Sequence, residues 1–249
     1  MATLFISDLH LCSKRPLITE LFLDFLKEDA VSADALYILG DFYEFWVGDD
    51  VAMTEEYRPI TEALQALTSR GVPVYILPGN RDFLLGKDFE ALTGCEILTE
   101  PYRLDLYGRP TLLMHGDSLC TDDVEYQEFR KQVRDPGWQT GFLAKSLQDR
   151  INLFNKYRRI SMEVTANKPT EIMDTNQQTI EQVMQQHDAT LLIHGHTHRP
   201  DEHHFEINKC AMTRIVLADW DGDGSVLRVD KNGWAVKKLS ASQLKPIVH

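Results

Sequence analysis

With 249 residues and 43% hydrophobic content, the chain is long enough to bury a substantial core as one large domain over residues 1–249, and an insertion within it is expected. Its formal net charge of -12, from 38 acidic against 26 basic residues, excludes a general nucleic-acid binder, because neutralising many phosphates requires a basic surface. Four widely spaced cysteines, Cys12, Cys95, Cys120 and Cys210, without a CxxC pair, exclude a zinc knuckle or a disulfide framework and point to free thiols in a reducing compartment.

The first predicted strand lies in residues 4–10 (LFISDLH), and four later segments repeat its plan: 35–42 (ALYILGDF), 72–82 (VPVYILPGNRD), 111–117 (TLLMHGD) and 189–198 (ATLLIHGHTH). Each is a short apolar run, read as a strand buried on both faces, followed at its carboxyl end by polar residues. Five such ends in one parallel-type sheet would bring Asp8, His10, Asp41, Asn80, His115, His196 and His198 to one rim, where open α/β sheets bind ligands. Between the first two strands, residues 18–29 place Leu21, Phe22, Phe25 and Leu26 at helical spacing, giving a βαβ unit. Residues 55–70 repeat the device with Ile60, Leu64 and Leu67, and Gly71 stops the helix. The intervening run FYEFWVGDD, residues 42–50, either fills the core and walls the site or presents a ring to an apolar or planar ligand group.

From residue 124 to about 168 the α/β pattern is interrupted by two or three predicted helices, broken near Asp135-Pro136-Gly137. Residues 129–159 carry eight basic side chains against two acidic ones, 8 - 2 = +6, interleaved with Trp138, Phe142, Leu147, Ile151 and Phe154. Two readings fit: a solvated helix pair packed on the core, or an amphipathic surface that lies on an anionic membrane or closes over an acidic, greasy ligand. A helix over 172–187 and strands over 213–218, 225–229 and 234–239 complete the pattern, with turns at Asp221-Gly222 and Asn232-Gly233. Asp219, Asp221, Asp223, Gly224 and Asp230 mimic a calcium loop, but strands flank them where an EF-hand requires helices, so a hairpin turn is expected. No apolar run approaches the ~18 residues of a membrane span, and no signal-peptide pattern precedes the first strand, so a cytoplasmic location is expected.

All seven rim residues offer nitrogen or oxygen donors, a set suited to Mn²⁺, Fe²⁺ or Zn²⁺. They are too many for one catalytic ion, which keeps an open position. Two divalent ions roughly 3.5–4 Å apart, bridged by Asp41, would use them all and would clamp a phosphorus centre. His194, His196 and His198 within five residues behind a buried strand have little structural use, which strengthens the metal reading.

Together, DLH, GD, GNRD, HGD and GHTH, in order and each after a strand, resemble the calcineurin-like metallophosphoesterase superfamily from about residue 8 to 198. The resemblance implies an α/β fold, a β-sandwich flanked by helices (αββα) with a helical cap insertion at about 124–168. It also implies metal ligands Asp8, His10, Asp41, Asn80, His115, His196 and His198, with His194 outside the set. The longer strings ALYILGDFYEFWVGDD, GNRDFLLGKDF, HGDSLCTDD, EIMDTNQ and LLIHGHTHRP are similar to the bacterial UDP-2,3-diacylglucosamine pyrophosphatase family of lipid A synthesis, over nearly the whole chain. That family implies hydrolysis of UDP-2,3-diacylglucosamine to UMP and 2,3-diacylglucosamine 1-phosphate (lipid X) by metal-activated water attack on the α-phosphorus. Two Mn²⁺ ions, a peripheral position at the cytoplasmic face of the inner membrane, and no required protein partner go with it.

The resemblance places catalysis on Asp8, His10, Asp41, Asn80, Arg81, His115 and His196. Substrate contacts fall on Asn80, Arg81, Asp123, Ser161, Thr165, Lys168 and His196, with Asp123 orienting the sugar and Ser161 and Lys168 reaching it from the insertion. Thr165 departs from the family's Asn, and Ala218 replaces the Gly expected before Asp219-Trp220. The alternatives are another dinuclear metallophosphoesterase acting on phosphodiesters or phosphoproteins, and a non-catalytic scaffold of the same fold.

Overall fold

A computed structural model describes residues 1–165, 168–169 and 172–240. In chain order the elements are β1 (Thr3–Ile6), α1 (Pro16–Glu28), β2 (Ala35–Ile38), α2 (Arg58–Ser69), β3 (Val74–Ile76), α3 (Lys87–Thr93), β4 (Glu96–Ile97), β5 (Tyr102–Leu106) and β6 (Arg109–Leu113). There follow α4 (Val124–Val133), α5 (Pro136–Leu143), α6 (Leu147–Thr165), α7 (Gln177–Gln186), β7 (Leu191–His194), β8 (Asp201–Ile207), β9 (Cys210–Val216), β10 (Asp223–Asp230) and β11 (Gly233–Ser240).

The five apolar runs do not share one sheet. β1, β2 and β3 stand in a six-stranded sheet, β11-β10-β1-β2-β3-β4, whereas β6 and β7 stand in a five-stranded sheet, β5-β6-β7-β9-β8. A run buried on both faces fits a central strand of either arrangement, so periodicity alone could not separate one sheet from two. Alternation within the runs shows why the two sheets stack. Leu4, Ile6, Leu36 and Ile38 turn towards α1 and α2, meeting Phe22, Phe25 and Leu64. Their neighbours Phe5 and Tyr37 face the second sheet and pack with Leu113, Leu191 and Ile193. On that sheet's far side, Leu112 and Leu192 meet Ile180 and Met184 of α7. Three apolar interfaces thus separate four layers, helix, sheet, sheet and helix, the expected αββα order.

The strands that escaped the sequence reading, β4, β5 and β8, are all sheet edges. Edge strands keep one flank and often one face in solvent, so they need no buried apolar run, and β8 opens with the charged DEHH. α7 begins five residues later than the expected helix start at 172, because Asn176 caps it and accepts a bond from the Thr179 amide. The final β10–β11 hairpin is as expected, but β10 pairs antiparallel with β1 in the first sheet. As one continuous strand, β10 holds no calcium loop.

Residues 124–165 form three cap helices, and Asp135, accepting from the Trp138 amide with Pro136 in the first turn of α5, makes the break between the first two. Trp138, Leu147, Ile151 and Phe154 pack on the first core cluster. Arg150 is the cap's buried anchor, 5% exposed, pairing with Asp50 and donating to the Val47 carbonyl at 2.5 Å. Among the described residues, no helix is long and apolar enough to cross a membrane.

Candidate metal centre

Parallel pairing of β1 with β2 and of β6 with β7 brings four loops to one edge of the sandwich. The loops are then zipped to one another by their backbones: the Asp8 amide donates to Gly40 O at 3.0 Å, His10 to Asp41 O at 2.9 Å, and Gly195 to His115 O at 2.8 Å. The tight fit needs glycine at two points in particular. A Cβ on Gly40, whose φ is +87°, would run into the His115 ring, and one on Gly195 would strike Ser7 Oγ and Asp8 Oδ2. Asp8, His10, Asp41, His196 and His198 all have positive φ, between 47° and 69°. Such left-handed geometry costs of order 1 kcal/mol or more per residue and persists where surrounding bonds over-determine it, typically at functional sites.

The side chains so placed form two overlapping groups. Donor atoms of Asp8, His10 and His198, and separately of Asp8, Asp41 and His115, lie within 4.8 Å of one another. His198 Nε2 is 3.3 Å from Asp8 Oδ1, and the Nε2 atoms of His10 and His198 face each other at 3.5 Å. Asp41 directs Oδ2 towards His10 Nε2 at 3.9 Å and Oδ1 towards His115 Nε2 at 3.6 Å. Asn80 Oδ1 stands 3.0 Å from His115 Nε2. His196 lies outside both groups; its amide donates to Asp8 Oδ2 at 2.9 Å, and its ring packs edge-on to His115 at 5.0 Å. His194 also lies outside them, fully buried, with Nδ1 bonded to Gly195 O.

The carboxylates and imidazoles of the rim shift one another's ionisation. Burial opposes charge on Asp8, but the neighbouring His198 and His115 hold its carboxyl below the usual carboxylate range. Burial likewise opposes charge on His115, yet Asp41, Asp8 and Asp117 outweigh it and raise the imidazole to about 9. Burial and the Asp41 carboxylate push Asp82 up to about 6. Asp8 Oδ1 is buried and accepts no hydrogen bond. His115 donates from Nδ1 to Leu39 O at 2.9 Å, so Nε2 is the ring nitrogen turned into the cluster. Carboxylates and imidazole nitrogens converging in this way fit divalent cations with nitrogen and oxygen ligands.

A family description, calcineurin-like phosphoesterase, matches residues 1–200. The chain belongs to that family. Membership implies divalent metal ions at the cluster just described. A Stenotrophomonas maltophilia relative named UDP-2,3-diacylglucosamine hydrolase is 49% identical, the alignment covering 96% of this chain and 99% of the relative. A Vibrio vulnificus relative of the same name is 47% identical, with 96% of this chain and 98% of the relative covered.

Several residues that support the cluster are not among the site residues expected from the sequence. Asp82 accepts from the amides of Gly79 and Phe42, each at 2.7 Å, and so ties the Asn80 loop to the Asp41 loop. Glu100 accepts from the His115 amide at 3.0 Å. Asp219 stands 3.4 Å from His198 Nδ1, and the Trp220 amide donates to Asp8 O at 3.1 Å. Asp82, Asp117 and Glu44 stand inside the GNRD, HGD and ALYILGDFYEFWVGDD strings, which was the available signal; Glu100 lies in none of them.

One cavity lies between the cap and the rim, and a second lies within the cap, between α4 and α6. The smaller, about 90 Å³, is lined by Asn80, Arg81, Trp138 and Phe142 among others. The larger, about 310 Å³, has Asp123 and Lys168 at a polar end and Ile160 and Val164 along its apolar side. Tyr126, Phe129, Tyr157 and Ser161 wall both. Lys168 Nζ is 2.6 Å from Asp123 Oδ1, and the same carboxylate caps α4. Thr165 closes α6, but its side chain lies outside the described residues. Of the aromatic run, Phe42, Tyr43 and Trp46 are fully buried in the core, while Phe45 meets Phe154 of the cap at 5.5 Å.

Proposed function

We propose that the protein hydrolyses the pyrophosphate bond of UDP-2,3-diacylglucosamine, giving UMP and 2,3-diacylglucosamine 1-phosphate (lipid X) for lipid A synthesis. One juxtaposition carries this reading: a cavity with apolar walls under the basic cap opens beside Asn80 and Arg81, next to the donor cluster, and shares Tyr126, Phe129, Tyr157 and Ser161 with a larger cavity between α4 and α6. A diphosphate calls for the cations and Arg81, and acyl chains call for the cavities. The relatives' name supports the same substrate.

Asp8, His10, Asp41, Asn80, His115, His196 and His198 would hold two divalent ions, taken to be Mn²⁺, with Asp41 between them. Bound there, such ions acidify a water molecule and neutralise charge on the attacked phosphoryl group. The chain's own residues do the rest. Arg81, whose Nε is buried without a partner, donates to the phosphoryl oxygens, as does the Asn80 amide. His196, held against Asp8 through its amide, completes the phosphoryl side. Ser161 presents its hydroxyl from α6, and Asp123 and Lys168, already paired, orient the sugar at the mouth of the larger cavity.

The whole chain acts as one domain, with residues 124–168 as a lid. Exposed Val124, Leu143, Ile160 and Val164 together with the exposed Lys131, Lys145, Lys156 and Arg159 suit peripheral contact with an anionic inner-membrane surface on its cytoplasmic side. The test is UMP release from UDP-2,3-diacylglucosamine and from unacylated UDP-N-acetylglucosamine, by metal-stripped protein with and without Mn²⁺. Release from the acylated substrate alone, and only with Mn²⁺, is expected. Release from neither substrate would direct the site to another phosphodiester.

A further inference from the structure

Two acidic residues outside the proposed ligand set stand between the metal ligands and the cap. Glu44 is placed by backbone pairing: the Leu11 amide donates to Phe42 O at 2.9 Å and the Glu44 amide to Leu11 O at 3.1 Å, so the two loops run in register. That register sets Glu44 Oε2 3.0 Å from His10 Nδ1. The contact is an ion-pair approach and not a linear hydrogen bond, and it leaves His10 Nε2 turned towards His198 and Asp41. Arg158 of α6 pairs with the other carboxylate oxygen of Glu44. Glu44 is shielded, its side chain 15% exposed, where an ion pair is less screened than at the open surface.

Asp117 is the counterpart on the second sheet. Fully buried, it accepts from Tyr126 Oη and Arg130 Nε through Oδ2, both at 2.7 Å. Arg130 also lies 3.5 Å from Glu100, the carboxylate that holds the His115 amide. Tyr126 lays its ring along the His196 imidazole, centroids 6.3 Å apart and planes 24° from parallel. Arg134, the residue that caps the C-terminus of α4, donates to Gly79 O at 2.9 Å, just before Asn80. α4 and α6 therefore each end a charged side chain on a carboxylate that touches a proposed ligand or lies in its loop.

We infer that Glu44 and Asp117 are positioning residues for the metal ligands, each latched by a cap arginine, Arg158 and Arg130, so that metal binding and seating of the cap are linked. The inference rests on the reading of the donor cluster as a metal centre. Partners one layer out from a metal fix the orientation of its ligands, and a coupling of this kind is reciprocal. Bound metal must then steady α4 and α6, and loosening the latches must weaken metal binding. Arg158 also borders the smaller cavity, so the experiment uses no substrate and a substrate-contact role cannot move its readouts.

Mn²⁺ affinity is measured by calorimetry on stripped wild type, Arg130→Gln, Arg158→Gln and the double variant, and amide exchange in α4 and α6 is followed with and without Mn²⁺. Wild type is expected to show slower exchange in both helices on adding Mn²⁺. The double variant should bind Mn²⁺ about tenfold or more weakly and lose the Mn²⁺ effect on exchange. Arg158→Lys and Arg130→Lys should recover part of the affinity, and unchanged far-ultraviolet circular dichroism certifies that the variants fold. Wild-type affinity in the double variant, or cap exchange indifferent to Mn²⁺ in wild type, overturns the linkage while leaving the metal centre intact. A wild type that binds no Mn²⁺ removes the metal centre and the linkage together.

Discussion

At the rim, the proposed ligands stand on loops bonded backbone to backbone, five of them with positive φ, and every glycine before a ligand lies where a Cβ would strike a neighbour. In the cap, by contrast, helices of ordinary geometry are fastened by side chains: Arg150 on Asp50, Arg158 on Glu44, Arg130 on Asp117. The rim spends folding energy on local strain and recovers it through packing around it, so its geometry is fixed in advance of any ligand. The cap packs part of its apolar surface on the core and leaves part lining cavities, which leaves room for a ligand to complete the packing. One region is built for position and the other for accommodation.

That contrast breaks hardest at Asp41. Its two oxygens face imidazoles of both donor groups, so Asp41→Ala should reduce metal-dependent turnover by roughly 10³-fold or more with the fold retained by circular dichroism. Substantial residual activity would remove Asp41 from the bridging position. Metal removal is the next largest effect. A rim that binds cations only when folded gains about 2.7 kcal/mol at a free concentration 100 times Kd, so chelation should lower the melting temperature and restored Mn²⁺ should raise it again. A melt indifferent to Mn²⁺ would mean that the buried carboxylates and imidazoles balance one another unaided.

Cap variants should act differently, on substrate affinity more than on chemistry. Lys168→Ala breaks the shielded pair with Asp123, and should raise KM about tenfold, the worth of one well-placed polar contact, with kcat nearly kept. A fall in kcat at constant KM would place Lys168 with the rim instead. Arg150→Ala should cost roughly 1–3 kcal/mol by leaving the Val47 carbonyl unbonded and a gap where the buried stem packed, with Mn²⁺ affinity at the rim altered less than by the Arg130 and Arg158 changes.

The same contrast decides what could be read from sequence. Rim residues stand out in sequence because metal chemistry would restrict each position to a few donor types, and the strand before each one supplies an apolar run; the structure brings Asp8, His10, Asp41, His115 and His198 together in two overlapping groups. What the motifs lacked was the sheet to which each strand belongs, since a doubly buried run looks alike in a parallel sheet and in a sandwich. Glu44 stands inside the ALYILGDFYEFWVGDD string, yet its role was not legible, because an acid inside an aromatic run acquires meaning only when His10 and Arg158, 34 and 114 positions away in sequence, arrive beside it. Long-range side-chain pairing has no period, and period was the signal in use.

The smallest effect concerns Asp50, and pH isolates it. The Arg150 guanidinium holds its carboxyl below the ordinary range. A carboxylate whose folded pKa lies below its unfolded value contributes stability above the unfolded pKa, about 3.9, and that stability is lost as pH falls through the folded value. Asp50 is also 53% exposed, so solvent screening limits the pair to about 1 kcal/mol or less. The melting temperature of Asp50→Asn should therefore trail wild type by the widest margin near neutral pH, and the margin should narrow as both are acidified below about pH 4. A margin that stays constant with pH would mean that the carboxamide disturbs the loop by shape and not by charge, and the cap's anchor would then be Arg150 on the Val47 carbonyl alone.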